Sequence, residues 1–408
     1  MPNRRPLAII LLAATLLAAS CRQPSPKAYD PRQVAFSAAY NPLFDGQLYT
    51  SMILALGNSS IKDRYPMFTV SLTSPADGAV LRVVVDSSAL NYVTTVQEVL
   101  PRRGAAYSFQ PAVKWKYGAL RAMRTPGSVD LTFTLYINDE QVDVKNLRLG
   151  YRPVGECPLS LVHDGHTTDF RWLFAAYVNE EHPQIEQILT DIMEQATVSR
   201  ISGYQGSADD VRAQVFAVWY YALARGITYS SITCTSNPST RANVQHIRLF
   251  DEVWATRQAN CVDACVFFAS ILRRMGLKPV IFVEPCHAYL GYYTDKNRRD
   301  LQLLETTITS WVNFPQLERT LDSEGRLPEA SWSKVRRYLS AADAAAYEEG
   351  RIGFEEVKRA VAASLFEKAS EYDRETYQAN RANFADTTVI NYQQLDIEQL
   401  RTLVQPIN

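Results

Sequence analysis

Three side chains that together can make a nucleophilic centre occur in order in one stretch of this 408-residue chain. Cys261 opens an apolar run, His287 lies just past a hydrophobic run, and Glu305 follows the next one. A thiol needs a neighbouring imidazole to become a thiolate at neutral pH. The imidazole in turn needs a carboxylate to fix its tautomer and stabilise its cation. The segment ANCVDACVFFASILRRMGLKPVIFVEPCHAYLGYYTDKNRRDLQLLETT predicts a helix beginning at Cys261 and strands over 279–283, 288–293 and 301–304. Ala259-Asn260 is a break before Cys261, so the sulfur is expected at a helix N-terminus. There the unpaired N–H groups and the helix dipole favour a negative sulfur, and the same groups could receive an oxyanion. Val262, Val266, Ala269, Ile271 and Leu272 would bury that helix. Asp263, two residues past the thiol, reads as a first-turn helix acid and not as a triad member. Glu305 closes the third strand, and antiparallel neighbours would set it beside His287.

A metal centre is the rival chemistry on the same residues, because Cys261, Cys265, Cys286 and His287 make a Cys₃His set suited to Zn²⁺. Cys286 and His287 are consecutive and would point to opposite faces of an extended chain. Both reaching one ion would need a bend at Pro285. No metal and no cofactor is expected.

The order of a Cys at a helix start, a His on the following strand and an acid after the next resembles the core of the transglutaminase-like family of papain-type cysteine enzymes. The text NCVDACVFFASILRRMGLKPVIFVEPCHAYLGYY, followed by LLETT, is similar to a bacterial subgroup of that family. The resemblance is specific over 244–310 and weaker over 158–243. It implies Cys261 as nucleophile, His287 as base and Glu305 as the orienting acid. The family's usual acid is Asp; a Glu is one methylene longer and can still accept the imidazole N–H. By analogy with papain-like sites, Gln245 or Gln258 would supply an oxyanion-hole amide, and the spacing leaves both open. The implied activity is an exported cysteine hydrolase or acyltransferase acting on peptide or isopeptide bonds through a Cys thioester. Hydrolysis is favoured over crosslinking because water is the default acceptor. The competing class is a catalytically inactive scaffold or binding lipoprotein of the cell envelope.

The N-terminus reads as a targeting segment. Arg4 and Arg5 precede an apolar stretch from Leu7 to Ala19, too short for a comfortable membrane span. Leu17-Ala18-Ala19-Ser20-Cys21 resembles the lipobox of bacterial lipoproteins, although a larger aliphatic residue is usual where Ala18 stands. This implies a signal peptide over 1–21, lipidation of Cys21 and a lipid-anchored protein of the bacterial envelope, with 22–39 as a tether. Of the six cysteines, lipidation would consume Cys21 and leave five, an odd number that points to at least one free thiol. Cys261 is the natural candidate. Cys157 and Cys234 are the pair expected to bridge, because both lie in loop-like, turn-rich sequence.

These residues need a frame to hold them. The length favours more than one domain, and 47% apolar residues supply ample core. A net charge of −1 gives no reason to expect a nucleic-acid partner; the expected substrate is a protein or peptide, including cell-wall peptide. Over 40–153, strand-like runs at 48–56, 67–72, 80–85, 107–109, 129–137 and 142–149 alternate with turn signals and predict an antiparallel immunoglobulin-like sandwich. Apolar stripes at Phe170–Tyr177, Ile185–Ile192 and Val211–Leu223 then predict helices, with Gly226 as a stop. The fold expected is α+β: a β-sandwich, then a transglutaminase-like domain over 154–408. That domain divides into a helical lead-in (158–243), a catalytic core (244–315) and a helical C-terminal region (316–408), with one amphipathic helix over 342–365.

Overall fold

The computed structural model describes residues 30, 34–57, 59, 61–195, 197–230, 241–389 and 391–407. The expected signal peptide and Cys21 lie outside the described residues, as does Cys234. Among the described residues no helix is long and apolar enough to cross a membrane.

Strict alternation builds the N-terminal half. In Ala79–Val85 every second side chain is buried, which is the period of a strand with one face on a core. The described residues of this half contain eight strands: β1 (Phe36–Tyr40), β2 (Gln47–Tyr49), β3 (Phe68–Thr73), β4 (Ala79–Val85), β5 (Thr94–Leu100), β6 (Ala106–Phe109), β7 (Gly127–Ile137) and β8 (Glu140–Arg152), of which β3 and β4 alternate most strictly. They form a three-stranded sheet, β1-β3-β6, and a five-stranded sheet, β2-β8-β7-β4-β5. All pairings are antiparallel except β2 with β8. Asn138 and Asp139 both adopt left-handed φ (48° and 66°) and turn the β7–β8 hairpin. Phe68 of β3 meets Phe133 of β7 edge-on at 5.4 Å, joining the two sheets.

Two boundaries differ from expectation. The run 48–56 is a strand only to Tyr49; Thr50–Leu56 is a helix with six of its residues buried. A segment buried on nearly all sides carries no periodicity, so helix and strand cannot be told apart by pattern. The Thr50 and Ser51 hydroxyls donate to the Arg152 and Glu156 carbonyls (2.9 and 2.7 Å), which seats this helix over the start of the next strand. Strand formation also begins at Phe36, inside the span expected as tether.

The second half is mixed α+β. Its strands are β9 (Glu156–His163), β10 (His166–Asp169), β11 (Thr228–Tyr229), β12 (Ala242–His246), β13 (Gln258–Ala259), β14 (Pro279–Glu284), β15 (His287–Tyr293), β16 (Leu301–Leu304) and β17 (Gln393–Asp396). They pair as β10-β9-β12, β11-β13 and β16-β15-β14-β17. The stretch expected as a helical lead-in therefore contains strands, and Cys157 sits buried within β9 instead of in a loop. The helix Ala208–Arg225 starts on a Ser207 capping box and stops at Gly226, whose φ of 78° is the left-handed conformation expected there. The region 342–365 is two helices, Ala341–Glu348 and Phe354–Tyr372, because Gly350 turns left-handed (φ 75°) between them.

The four-stranded sheet carries the site, and it is covered on both faces. The Cys261–Arg274 helix packs on one side against β14 and β15. On the other, Val280, Phe282, Tyr289 and Leu303 cluster with Phe384 of the Arg374–Ala385 helix. Burial on both faces is why Pro279–Phe282 reads as an unbroken apolar run.

Candidate active site

Cys261 is the first residue of its helix because Asn260 caps it. The Asn260 Oδ1 accepts the Asp263 N–H at 2.8 Å, and the Asp263 carboxylate accepts the Asn260 N–H at 2.9 Å. This is a capping box read from sequence only as a break and a helix acid. Asp263 does more than cap. It is fully buried and also accepts the Arg248 N–H (2.8 Å) and the Arg248 guanidinium (2.7 Å). Arg248 follows β12, so this buried ion pair ties the nucleophile helix to the strand opposite it. Residues Val262 to Leu272 are all buried, while Cys261 is half-exposed.

His287 is the first residue of β15, paired with Glu284 across a tight turn through Pro285 and Cys286. Its Nε2 lies 2.7 Å from the Glu305 Oε2, and Cys261 lines the same cleft as the ring. With Nε2 taken by the carboxylate, Nδ1 is the nitrogen left to exchange a proton with sulfur. Leu290 pairs with Leu304, so carrying that register one step sets Glu305 across from Tyr289, diagonal to His287 on the same face. The extra methylene of Glu over Asp spans that diagonal. Glu305 is 0% exposed, its backbone N–H donates to the Ala369 carbonyl, and its other oxygen accepts the Thr307 N–H at 2.7 Å.

Burial opposes charge on His287, but the neighbouring Cys261 and the hydrogen-bonded Glu305 outweigh that and raise the imidazole to about 11. Burial likewise works against the Glu305 carboxylate, yet the His287 hydrogen bond and charge hold it below its usual range. Asp373, between the Phe354–Tyr372 and Arg374–Ala385 helices, is the group absent from the sequence reading. It is 4% exposed, and its Oδ1 stands 3.8 Å from the His287 Nε2. Burial, and then the neighbouring Glu305, raise Asp373 to about 8, which favours its protonated form at neutral pH. Glu284 is also pushed up, first by burial and then by Glu305, with His287 pulling the other way.

Cys261 and His287 open on a cleft of about 430 Å³. One wall is formed by Ser160, Thr167, Asn243 and Gln245, from the β10-β9-β12 sheet, and the other by Val283 to His287. Of the two expected oxyanion amides, Gln245 lines this cleft with its Nε2 donating to the His246 carbonyl (2.8 Å), whereas Gln258 sits on β13 away from the lining. Cys157, buried on β9, has its sulfur 3.8 Å from the Pro158 carbonyl, and its expected partner Cys234 is outside the described residues.

The other thiols near the site differ in kind from Cys261. Cys265 is fully buried with its sulfur 3.8 Å from the Thr306 hydroxyl; burial, then Cys261 and Glu305, push it far up, so it stays protonated. Cys286 is exposed in the left-handed region (φ 66°), the bend at Pro285 that the sequence left open. Among the described residues, the donor set compact enough for a cation is His287, Glu305 and Asp373. Two carboxylates and an imidazole suit a divalent ion. The 2.7 Å contact between Nε2 and Oε2, however, is a direct hydrogen bond that an ion would have to break.

No family model matches the chain, and none of the curated proteins matches it.

Proposed function

We propose that this protein is a cysteine acyl-transfer enzyme of transglutaminase-like type, hydrolysing peptide or isopeptide amide bonds through a thioester on Cys261. The observation that carries this reading is that Cys261 and His287 line one cleft while the His287 ring is held by the buried Glu305 carboxylate at 2.7 Å. A ring held protonated beside the sulfur is the partner of a thiolate. The thiolate attacks the amide carbonyl, and its C–S bond forms as the carbonyl π pair moves to oxygen. The imidazolium passes its proton to the departing nitrogen as the C–N bond breaks, leaving a thioester and neutral His287. Water, deprotonated by His287, then releases the acid and the free thiol.

The two sheets of the N-terminal half, joined through Phe68 and Phe133, support the immunoglobulin-like sandwich as the architecture in front of this domain. The charged N-terminal residues, the apolar stretch and Cys21 support export and lipid anchoring in a bacterial envelope, which makes envelope peptides the first substrates to try.

The test is amine or ammonia release from a panel of peptides, isopeptides and cell-wall fragments, comparing wild type with Cys261→Ala. Release that depends on Cys261 and leaves a hydroxylamine-trappable acyl-enzyme supports the reading. Full turnover by Cys261→Ala sinks it.

A further inference from the structure

We infer that the Asn260 side chain is the oxyanion donor of this site, a role that rests on the acyl-transfer reading above. Asn260 is 1% exposed, lines the cleft with Cys261 and immediately precedes the nucleophile. Its amide orientation is forced: the atom facing the Asp263 N–H at 2.8 Å must be the oxygen, because two donors would repel. The Nδ2 amine therefore points the other way. It is buried and has no hydrogen-bond partner among the described residues.

A buried amide N–H without an acceptor costs about 1–3 kcal/mol, and a site retains it when the acceptor arrives with the substrate. The acceptor needed is an oxygen that becomes negative. In the acyl-transfer step, sulfur attack pushes the carbonyl π pair onto oxygen, and the Asn260 Nδ2–H hydrogen-bonds the resulting anion. The Cys261 N–H is the natural second donor, since it stands at the first helical position, where helix geometry provides no partner. Reorganisation is small because the cap holds Asn260 at both ends: its N–H and its Oδ1 bond the same buried Asp263, which Arg248 anchors in turn. Gln245 differs in that its Nε2 already has an acceptor, the His246 carbonyl, so that nitrogen is not left unpaired as the Asn260 Nδ2 is.

The test separates oxyanion binding from thiol positioning by using two reagents on full-length protein. Acylation of Cys261 by p-nitrophenyl acetate passes through a tetrahedral oxyanion, whereas alkylation by iodoacetamide displaces iodide at carbon and forms none. Asn260→Ser keeps a capping oxygen and removes the amide donor. It is expected to slow acylation roughly 10²–10³-fold while alkylation stays within about threefold of wild type. Asn260→Asp keeps cap and shape and places a carboxylate at the anion, so it should lose acylation at least as severely; thermal melts check that both fold. Wild-type acylation in Asn260→Ser overturns the inference, as does a parallel loss of alkylation, which would make Asn260 a positioning residue. Absence of any Cys261-dependent acylation in the wild type would instead refute the acyl-transfer reading, and the Asn260 role with it.

Discussion

Replacing Glu305 by Gln tests the electrostatic core of the site with almost no change in volume. Glu305 accepts from the His287 Nε2 and from the Thr307 N–H, each at 2.7 Å, and has no exposed surface. A carboxamide can offer its oxygen to one of these donors only by turning its NH₂ toward the other; with its oxygen on the Thr307 N–H, the NH₂ opposes a protonated His287 Nε2–H and favours the neutral ring with its proton on Nδ1. A charge-assisted hydrogen bond contributes about 1.5–3 kcal/mol, and each 1.4 kcal/mol is about one pH unit or a factor of ten. Loss of the carboxylate should therefore bring His287 down from about 11 by roughly one to two units. The thiolate–imidazolium pair weakens by roughly 10- to 150-fold. The assay is the rate of iodoacetamide alkylation at Cys261, followed by peptide mass spectrometry from pH 5 to 9, with a thermal melt as fold control. Alkylation at neutral pH should fall by roughly tenfold or more, and Glu305→Asp should recover part of it. A folded Glu305→Gln protein that alkylates at the wild-type rate at every pH would refute the argument that Glu305 supports the charged pair.

Three further changes probe the surrounding framework. Asp263→Ala leaves Arg248 as an unpaired buried cation and removes three hydrogen bonds, so chemical denaturation should show a loss of roughly 3–5 kcal/mol; a loss under about 1 kcal/mol would contradict the buried pair. Asp373, raised from 3.8 to about 8, favours the folded state fully below pH 4 and loses that contribution as pH rises toward 8. His287, raised from 6.5 to about 11, loses its contribution from pH 6.5 upward. Asp373→Asn should flatten the decline in stability between about pH 4 and 8 and leave the more alkaline decline in place; identical pH–stability curves would show that Asp373 does not hold a proton in the fold. Cys286→Gly relieves a left-handed φ of 66° and should raise stability by about 0.5–1 kcal/mol, whereas a lower melting temperature would mean that the Cys286 side chain makes a contact worth more than the strain.

Much of the candidate site was legible because its geometry is local. The 279–293 hairpin is bounded by Gly276 and by the Asp295 turn, its apolar run is short, and Pro285-Cys286 closes it, so His287 had one place to be. The Cys261 helix announced itself through the break at Ala259-Asn260 and the apolar run that follows. Composition and alternation also carried most of the N-terminal strands. The misreadings share a cause: at 48–56, at Cys157 and at 342–365, the deciding interactions are buried on all sides or depend on a single left-handed glycine. Neither leaves a period in the sequence.

What sequence could not reveal is that the charged groups gathered around His287 come from distant parts of the chain. Asp373 lies in an otherwise ordinary charged helical region, and no spacing relates it to His287. Its role follows from the Phe354–Tyr372 helix packing beside β16 and ending against the buried Glu305. Asp263 shows the same limit from the other side. Its position marked it as a helix acid, and it is one, yet the charge also neutralises Arg248 beyond β12 and accepts the Asn260 backbone N–H, while its own N–H fixes the Asn260 amide. A capping residue is ordinarily worth about 1 kcal/mol and is interchangeable among Asn, Ser and Asp. At Asn260, a residue of the cleft lining with an unpaired buried Nδ2, that interchangeability ends, because the three residues cap alike and only one of them carries an amide donor.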